Sequence, residues 1–139
     1  MSVRFPSVEF FQELKQQVAN HPASMEAVAP SEAYCGFAIG DKLYVLEFDG
    51  RDCAAVAGGG NTLDLDFFLT GPPETWREAI QSIRDSQGAD GEHTLEALVE
   101  RGRIELCSEA PDGLDLGRDT LGFLQAFLDQ AAHVDVQFD

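Results

Sequence analysis

Asn61 to Arg84 reads N-T-L-D-L-D-F-F-L-T-G-P-P-E-T-W-R-E-A-I-Q-S-I-R, and its period changes in the middle. Leu63, Leu65, Phe67 and Leu69 alternate with Asp64, Asp66, Phe68 and Thr70, which predicts a strand with one apolar face. Gly71-Pro72-Pro73 stops that strand, because proline has no N–H to donate to a ladder. Trp76, Ala79, Ile80 and Ile83 then recur at spacings of three and four, one face of a helix. A strand passing through a rigid turn into an amphipathic helix is a signature of fold, not of catalysis.

Working outward toward the N-terminus, Asp49-Gly50 is a strong hairpin signal between two apolar runs, Lys42 to Phe48 and Arg51 to Ala57. Gly40-Asp41 is a similar signal after Tyr34 to Ile39. With the opening strand as the fourth, this spacing predicts an antiparallel meander. Before it, Ser7 caps a helix whose apolar stripe is Phe10, Phe11, Leu14 and Val18, ending near Asn20-His21-Pro22. Ala23 to Glu32 reads as a short helix or a loop.

Toward the C-terminus, Thr94 to Arg101 is a short helix with Leu95, Leu98 and Val99 on one face and Gly102 just past its end. Arg103 to Cys107 is a fifth strand, with Ile104 and Leu106 sharing a face. A last helix, from about Asp115 to Ala132, carries two adjacent apolar stripes: Leu121, Leu124, Leu128 and Ala131 beside Phe123 and Phe127. So wide a face implies a helix nearly surrounded by protein, or one that lines a cavity or a partner. Burying its five large residues contributes roughly 7–15 kcal/mol, comparable to the net stability of a whole domain.

The chain has 139 residues, enough for one domain spanning its whole length. Twenty-five acids against nine bases give a net charge of −16. That field repels phosphate backbones and anionic bilayers, which argues against nucleic-acid binding and stable membrane association. It suits a basic protein partner. No run is apolar enough for a membrane span, and Met1 to Pro6 lacks the apolar core of a signal peptide. Cys35, Cys53 and Cys107 are odd in number, without a C-x-x-C, and fit reduced thiols. These features point to a cytoplasmic protein.

Chemistry-bearing patterns are sparse. His21, His93 and His133 lack ligand spacing, so no metal is implied. Gly58-Gly59-Gly60 opens no helix and lacks a G-K-[ST] ending. Asp64 and Asp66 share a strand face, and in so acidic a chain they read as a solvated surface. Arg101-Gly102-Arg103 is the densest basic spot and reads as two solvated arginines at a helix C-terminus. Trp76 reads as core.

In its order of elements the chain resembles the sterol carrier protein type-two domain family. The strand-to-helix segment L-T-G-P-P-E-T-W-R-E-A-I and the later T-L-E-A-L-V-E-R-G with R-I-E-L carry the resemblance, which covers nearly the whole chain. It implies an α+β fold: a five-stranded, mainly antiparallel sheet with helices on one face and a C-terminal helix closing a hydrophobic tunnel. It implies non-catalytic binding or transfer of a fatty acid, sterol or other lipid, with no cofactor. The positions it assigns to the tunnel are Leu65, Phe67 and Leu69, then Trp76, Ile80 and Ile83, then Leu95, Leu98 and Val99, and finally Phe123, Leu124, Phe127 and Leu128. The chain ends V-Q-F-D, not in a peroxisomal S-K-L address. An alternative is an interaction protein whose apolar surplus forms a homodimer or docks on an enzyme as an accessory subunit. A third is a small cone-shaped α+β isomerase, which would use an Asp in an apolar pocket as base.

Overall fold

The computed structural model describes residues 2–21, 23, 31–50, 52–60, 65–86, 93–109 and 112–138. In chain order the elements are β1 (Val3–Phe5), α1 (Val8–Asn20), β2 (Ser31–Ile39), β3 (Lys42–Gly50), β4 (Asp52–Gly58), β5 (Phe67–Gly71), α2 (Pro73–Ser86), α3 (Leu95–Glu100), β6 (Glu105–Cys107), α4 (Gly113–Leu128) and β7 (Val136–Phe138). A 3₁₀ segment, Asp129–His133, continues α4. The fold is α+β, and its main sheet has five strands in the order β4-β3-β2-β5-β6.

Local chemistry sets the helix ends. The Ser7 hydroxyl accepts from the Phe10 N–H at 3.1 Å and starts α1, whose Phe10, Phe11, Leu14 and Val18 are buried as their spacing predicts. The Thr94 hydroxyl does the same for α3, accepting from the Ala97 N–H at 3.2 Å. Gly102 follows α3 with φ +74, a left-handed conformation that suits glycine. Pro73 opens α2, where its missing N–H costs nothing.

Topology departs from a simple meander. β2, β3 and β4 are antiparallel neighbours, but β5 crosses over to lie parallel to β2, with Cys35 opposite Phe67 and Phe37 opposite Leu69. β6 then pairs antiparallel with β5. The crossover sets β5 between β2 and β6, where Phe67 and Leu69 are fully buried. β2 also begins at Ser31, inside the segment that reads as helix or loop.

Other boundaries shift for identifiable reasons. Asp49 pairs with Asp52, so the β3–β4 turn is centred one residue later than Asp49-Gly50, and Gly50 supplies the positive φ of +68. A bulge between Glu47 and Phe48 changes the register of this hairpin. β6 starts at Glu105, not Arg103, because the N–H groups of Arg103 and Ile104 both bond back to the Leu98 carbonyl, at 2.9 and 3.2 Å. α4 is α-helical from Gly113 to Leu128 and tightens into 3₁₀ geometry before Ala132. β1 and β7 form a parallel two-stranded pair that three-residue runs do not announce.

The core lies between the main sheet and the helices. Phe11 stacks on Phe37 at 5.4 Å, Trp76 meets Phe37 edge-on at 5.5 Å, and Phe48 meets Phe123 and Phe127 edge-on at 5.0 and 5.1 Å. Phe5 joins β1 to this layer through Phe10 at 4.8 Å.

Candidate functional site

Of the thirteen side chains expected along an interior tunnel, twelve belong to one layer between sheet and helices. Phe67 and Leu69 come from β5, Trp76, Ile80 and Ile83 from α2, Leu95 and Leu98 from α3, and Phe123, Leu124, Phe127 and Leu128 from α4; all are buried in the core. Val99 packs against them and stays half-buried. Alternation places Phe67 and Leu69 on one face of β5, and the i, i+3, i+4 spacing places the helical members opposite.

Leu65 is the exception. The strand begins only at Phe67, and the chain bends at Leu65-Asp66. Gly36 lies between Cys35 and Phe37, whose side chains enter the core, so its missing side chain would point to the other face. A Cβ built there would lie 2.8 Å from Leu65 Cδ1, 2.9 Å from Leu43 Cδ1 and 3.5 Å from Phe68 Cβ. Leu65 therefore caps the outer face of the sheet, with Leu43 and Phe68, outside the interior layer. Periodicity missed this because alternation holds only while the strand is straight. The signal was Gly36, a glycine inside a strand, which marks a close approach.

Asp66 fastens this bend. Its Oδ2 accepts from the Tyr34 N–H at 2.9 Å, its own N–H donates to the Tyr34 carbonyl at 2.7 Å, and its carbonyl accepts from the Ser108 hydroxyl at 2.7 Å. It is a half-buried structural carboxylate, not part of a freely solvated face. Asp64, Leu63 and the rest of Asn61 to Asp64 lie outside the described residues.

Helix α4 approaches the sheet closely at two glycines. A Cβ at Gly113 would collide with the Ser108 hydroxyl and the Asp66 carbonyl, and one at Gly117 would come within 2.7 Å of Leu106 and 3.2 Å of the Phe67 ring. Farther along α4, Gln125 reaches to α3, where its Oε1 accepts from the Leu95 N–H at 2.7 Å and its Nε2 donates to Asp129 at 2.8 Å. A buried first-turn N–H of α3 is thus satisfied by a side chain from another helix.

Among the described residues, groups for acid–base or metal chemistry do not converge here. Burial holds the Cys35 thiol well above its usual range, reinforced by Cys53 and Asp66, and pushes Cys53 up to about 11. Cys107 is also raised, by burial and then by Glu105. All three cysteines are free, and a thiol held protonated is a poor nucleophile. Among the described residues, no three His, Cys, Asp or Glu side chains are grouped to hold a metal ion. His21 is the C-cap of α1. Gly58 ends β4 beside Val8 of α1, and Gly59 and Gly60 are exposed with positive φ. Arg101 and Arg103 are exposed, and Arg103 reaches Glu78 at 2.6 Å. Trp76 is 1% exposed, and its indole N–H has no hydrogen-bond partner among the described residues.

An open cleft of about 330 Å³ adjoins the layer between α3, β6 and the start of α4. Val99, Ile104, Leu106 and Leu114 give it apolar walls, and Glu105 and Arg118 stand among them. No described helix is long and apolar enough to cross a membrane.

No family model matches the sequence, and no curated protein matches it. Solved structures do. A crystal structure of sterol carrier protein 2 superposes with a TM-score of 0.66 at 16% identity, covering 91% of this chain and 95% of that one. A conserved hypothetical protein of Thermus thermophilus, described as a possible sterol carrier protein, gives 0.69 at 16% identity over 94% and 90%. A ubiquinone synthesis protein, UbiJ-SCP2, gives 0.52 at 15% identity over 90% and 87%. The chain therefore has the sterol carrier protein type-two fold over nearly its whole length.

Proposed function

We propose that this sterol-carrier-type fold binds a small hydrophobic or amphipathic molecule between its sheet and its helices, without catalysing a reaction. The supporting observation is the interior layer itself. Twelve side chains from β5, α2, α3 and α4 converge on one side of the sheet, and a cleft walled by Val99, Ile104, Leu106 and Leu114, with Glu105 and Arg118, opens beside them. Small-molecule sites are typically apolar, concave and sparing in polar groups. A solved protein of the same fold is named for sterol carriage, and another is named as a ubiquinone synthesis protein.

Raised thiol pKa values and the engagement of Asp66 in backbone bonds favour binding over chemistry. Fatty acids, sterols and other lipids are the ligand classes to test. The protein, delipidated and titrated with a fluorescent sterol and a fluorescent long-chain fatty acid, is expected to show saturable binding to at least one. Native mass spectrometry of freshly purified protein should show an added mass that delipidation removes. No saturable binding across a chemically broad lipid panel, with no co-purified mass, refutes the proposal.

A further inference from the structure

The cleft between α3, β6 and α4 differs from the rest of the surface. Tyr34 and Leu114 are the exposed large hydrophobic residues among those described, and Leu114, 41% exposed, stands at the lip of this cleft. Its apolar walls come from three elements: Val99 on α3, Ile104 and Leu106 at β6, and Leu114 on α4. Leu106 separates the cleft from the interior layer, against which it packs. Gly117 has no side chain, so the backbone of α4 sits against Leu106 on one side and the Phe67 ring on the other. Leu106 also pairs with Leu69 across the sheet. Leu106 thus stands between the cleft and the two β5 side chains that floor the interior layer.

Charge at the lip narrows what can sit there. Arg118 is 3.5 Å from Asp115, and Arg103, beside the cleft, is held by Glu78 at 2.6 Å. Arg101 follows Glu100 directly in sequence. Glu105 is in the wall with no arginine bonded to it in an ion pair of the described residues. Arg118 and Arg103 each have an acid beside them, in a chain of net charge −16. A carboxylate or phosphate head would meet an uncompensated field of its own sign. An uncharged hydroxyl or carbonyl head would find a donor in Arg118 and an acceptor in Glu105.

We infer that this cleft is the mouth of the interior site, that Leu114 is its lip, and that it admits an uncharged amphiphile with its polar end left between Glu105 and Arg118. This rests on the binding function proposed above.

Stopped-flow uptake of a fluorescent sterol and a fluorescent long-chain fatty acid by the full chain tests it. Wild type should prefer the uncharged sterol at neutral pH. Leu114→Trp, which narrows the lip at an exposed position, should slow both uptake and release by about tenfold, and Leu114→Ala should speed both. Glu105→Lys should raise fatty-acid affinity by about threefold, as suits one exposed charge, and should lower sterol affinity, because lysine cannot accept from the sterol hydroxyl. Circular dichroism melts of each variant establish that it is folded. If wild type takes up neither probe, the binding function falls and the mouth with it. If wild type takes up a probe but the Leu114 variants leave its rates unchanged, the mouth alone is refuted. A wild-type preference for the fatty acid, or a Glu105→Lys protein without the shift, overturns the uncharged ligand class.

Discussion

The two faces of the main sheet are built on different principles. The inner face is deep and aromatic: Phe37, Phe48 and Phe67 pack under Phe11, Trp76, Phe123 and Phe127 from three helices. The outer face is thin, with Leu43, Val45, Leu65 and Phe68 gathered around Gly36 where one chain bend crosses the strands. Val45 and Leu65 are buried but stand apart from the main core. The inner face has the area to stabilise the fold, and it is the face proposed to bind a ligand. The outer face holds β5 in register, through Asp66 on Tyr34 and Ser108 on Asp66.

The largest expected effect breaks the inner face outright. Removing residues 120–139 takes away most of α4, the 3₁₀ segment and β7, and with them Leu121, Phe123, Leu124, Phe127 and Leu128. Their burial, roughly 7–15 kcal/mol, equals or exceeds the margin of a typical domain. The truncated chain should not fold, and a cooperative thermal transition would show that the inner face is not what holds it.

Single substitutions then compare the faces directly. Phe67→Ala should cost about 3–5 kcal/mol in urea denaturation, because a fully buried ring leaves a cavity between β5 and α4. Leu65→Ala should cost about 2 kcal/mol, the low end for a buried leucine, because the outer cluster is shallow and can close over the gap. Phe67→Ala should also weaken binding of the fluorescent sterol, whereas Leu65→Ala should not. Equal effects of the two on binding would mean that Leu65 belongs to the site after all.

Glycines give a finer contrast. Gly117→Ala pushes against Leu106 and against the fully buried Phe67 ring, which has no room to move aside, and should cost about 1–3 kcal/mol. Gly36→Ala meets only the ends of Leu65 and Leu43, which can turn aside, and should cost about 1 kcal/mol. A reversal of that order would place the rigid packing on the outer face.

Much of the fold was legible because its determinants are local. Ser7, Thr94, Gly102 and Pro73 act within a turn of the residues they order, and their roles follow from side-chain type. The interior layer was legible because periodicity marks which side of an element is apolar. Pairing partners were not. Nothing in the period of Phe67 to Thr70 says that β5 lies parallel to β2 instead of beside β4, since that choice is made by the whole sheet. Leu65 was misplaced for a related reason: the bend at Asp66 depends on Tyr34 and Ser108, 32 and 42 residues away. Gln125, which closes the α3 N-terminus from 30 residues away, carried no signal in its own helix.

The smallest expected effect separates the faces by their thiols. Cys53 lies in the inner core, and Cys107, opposite Phe68, lies on the outer side of β6 and is half-buried. Burial raises Cys53 from 9.0 to about 11, partly offset by Lys15. At pH 8 roughly one Cys53 in a thousand is then thiolate, and iodoacetamide should modify Cys107 first, as mass spectrometry of partly labelled protein would show. The same shift gives a sign to the pH dependence of stability. Below about pH 9 the thiol is protonated in both folded and unfolded chains, so its contribution is constant. Between about 9 and 11 the unfolded chain loses the proton and the folded chain keeps it, so stability falls as pH rises. The melting temperature of Cys53→Ala should decline less steeply than that of wild type across this window. Parallel declines, or labelling of Cys53 ahead of Cys107, would place Cys53 in contact with solvent and the inner face closer to the surface than its packing indicates.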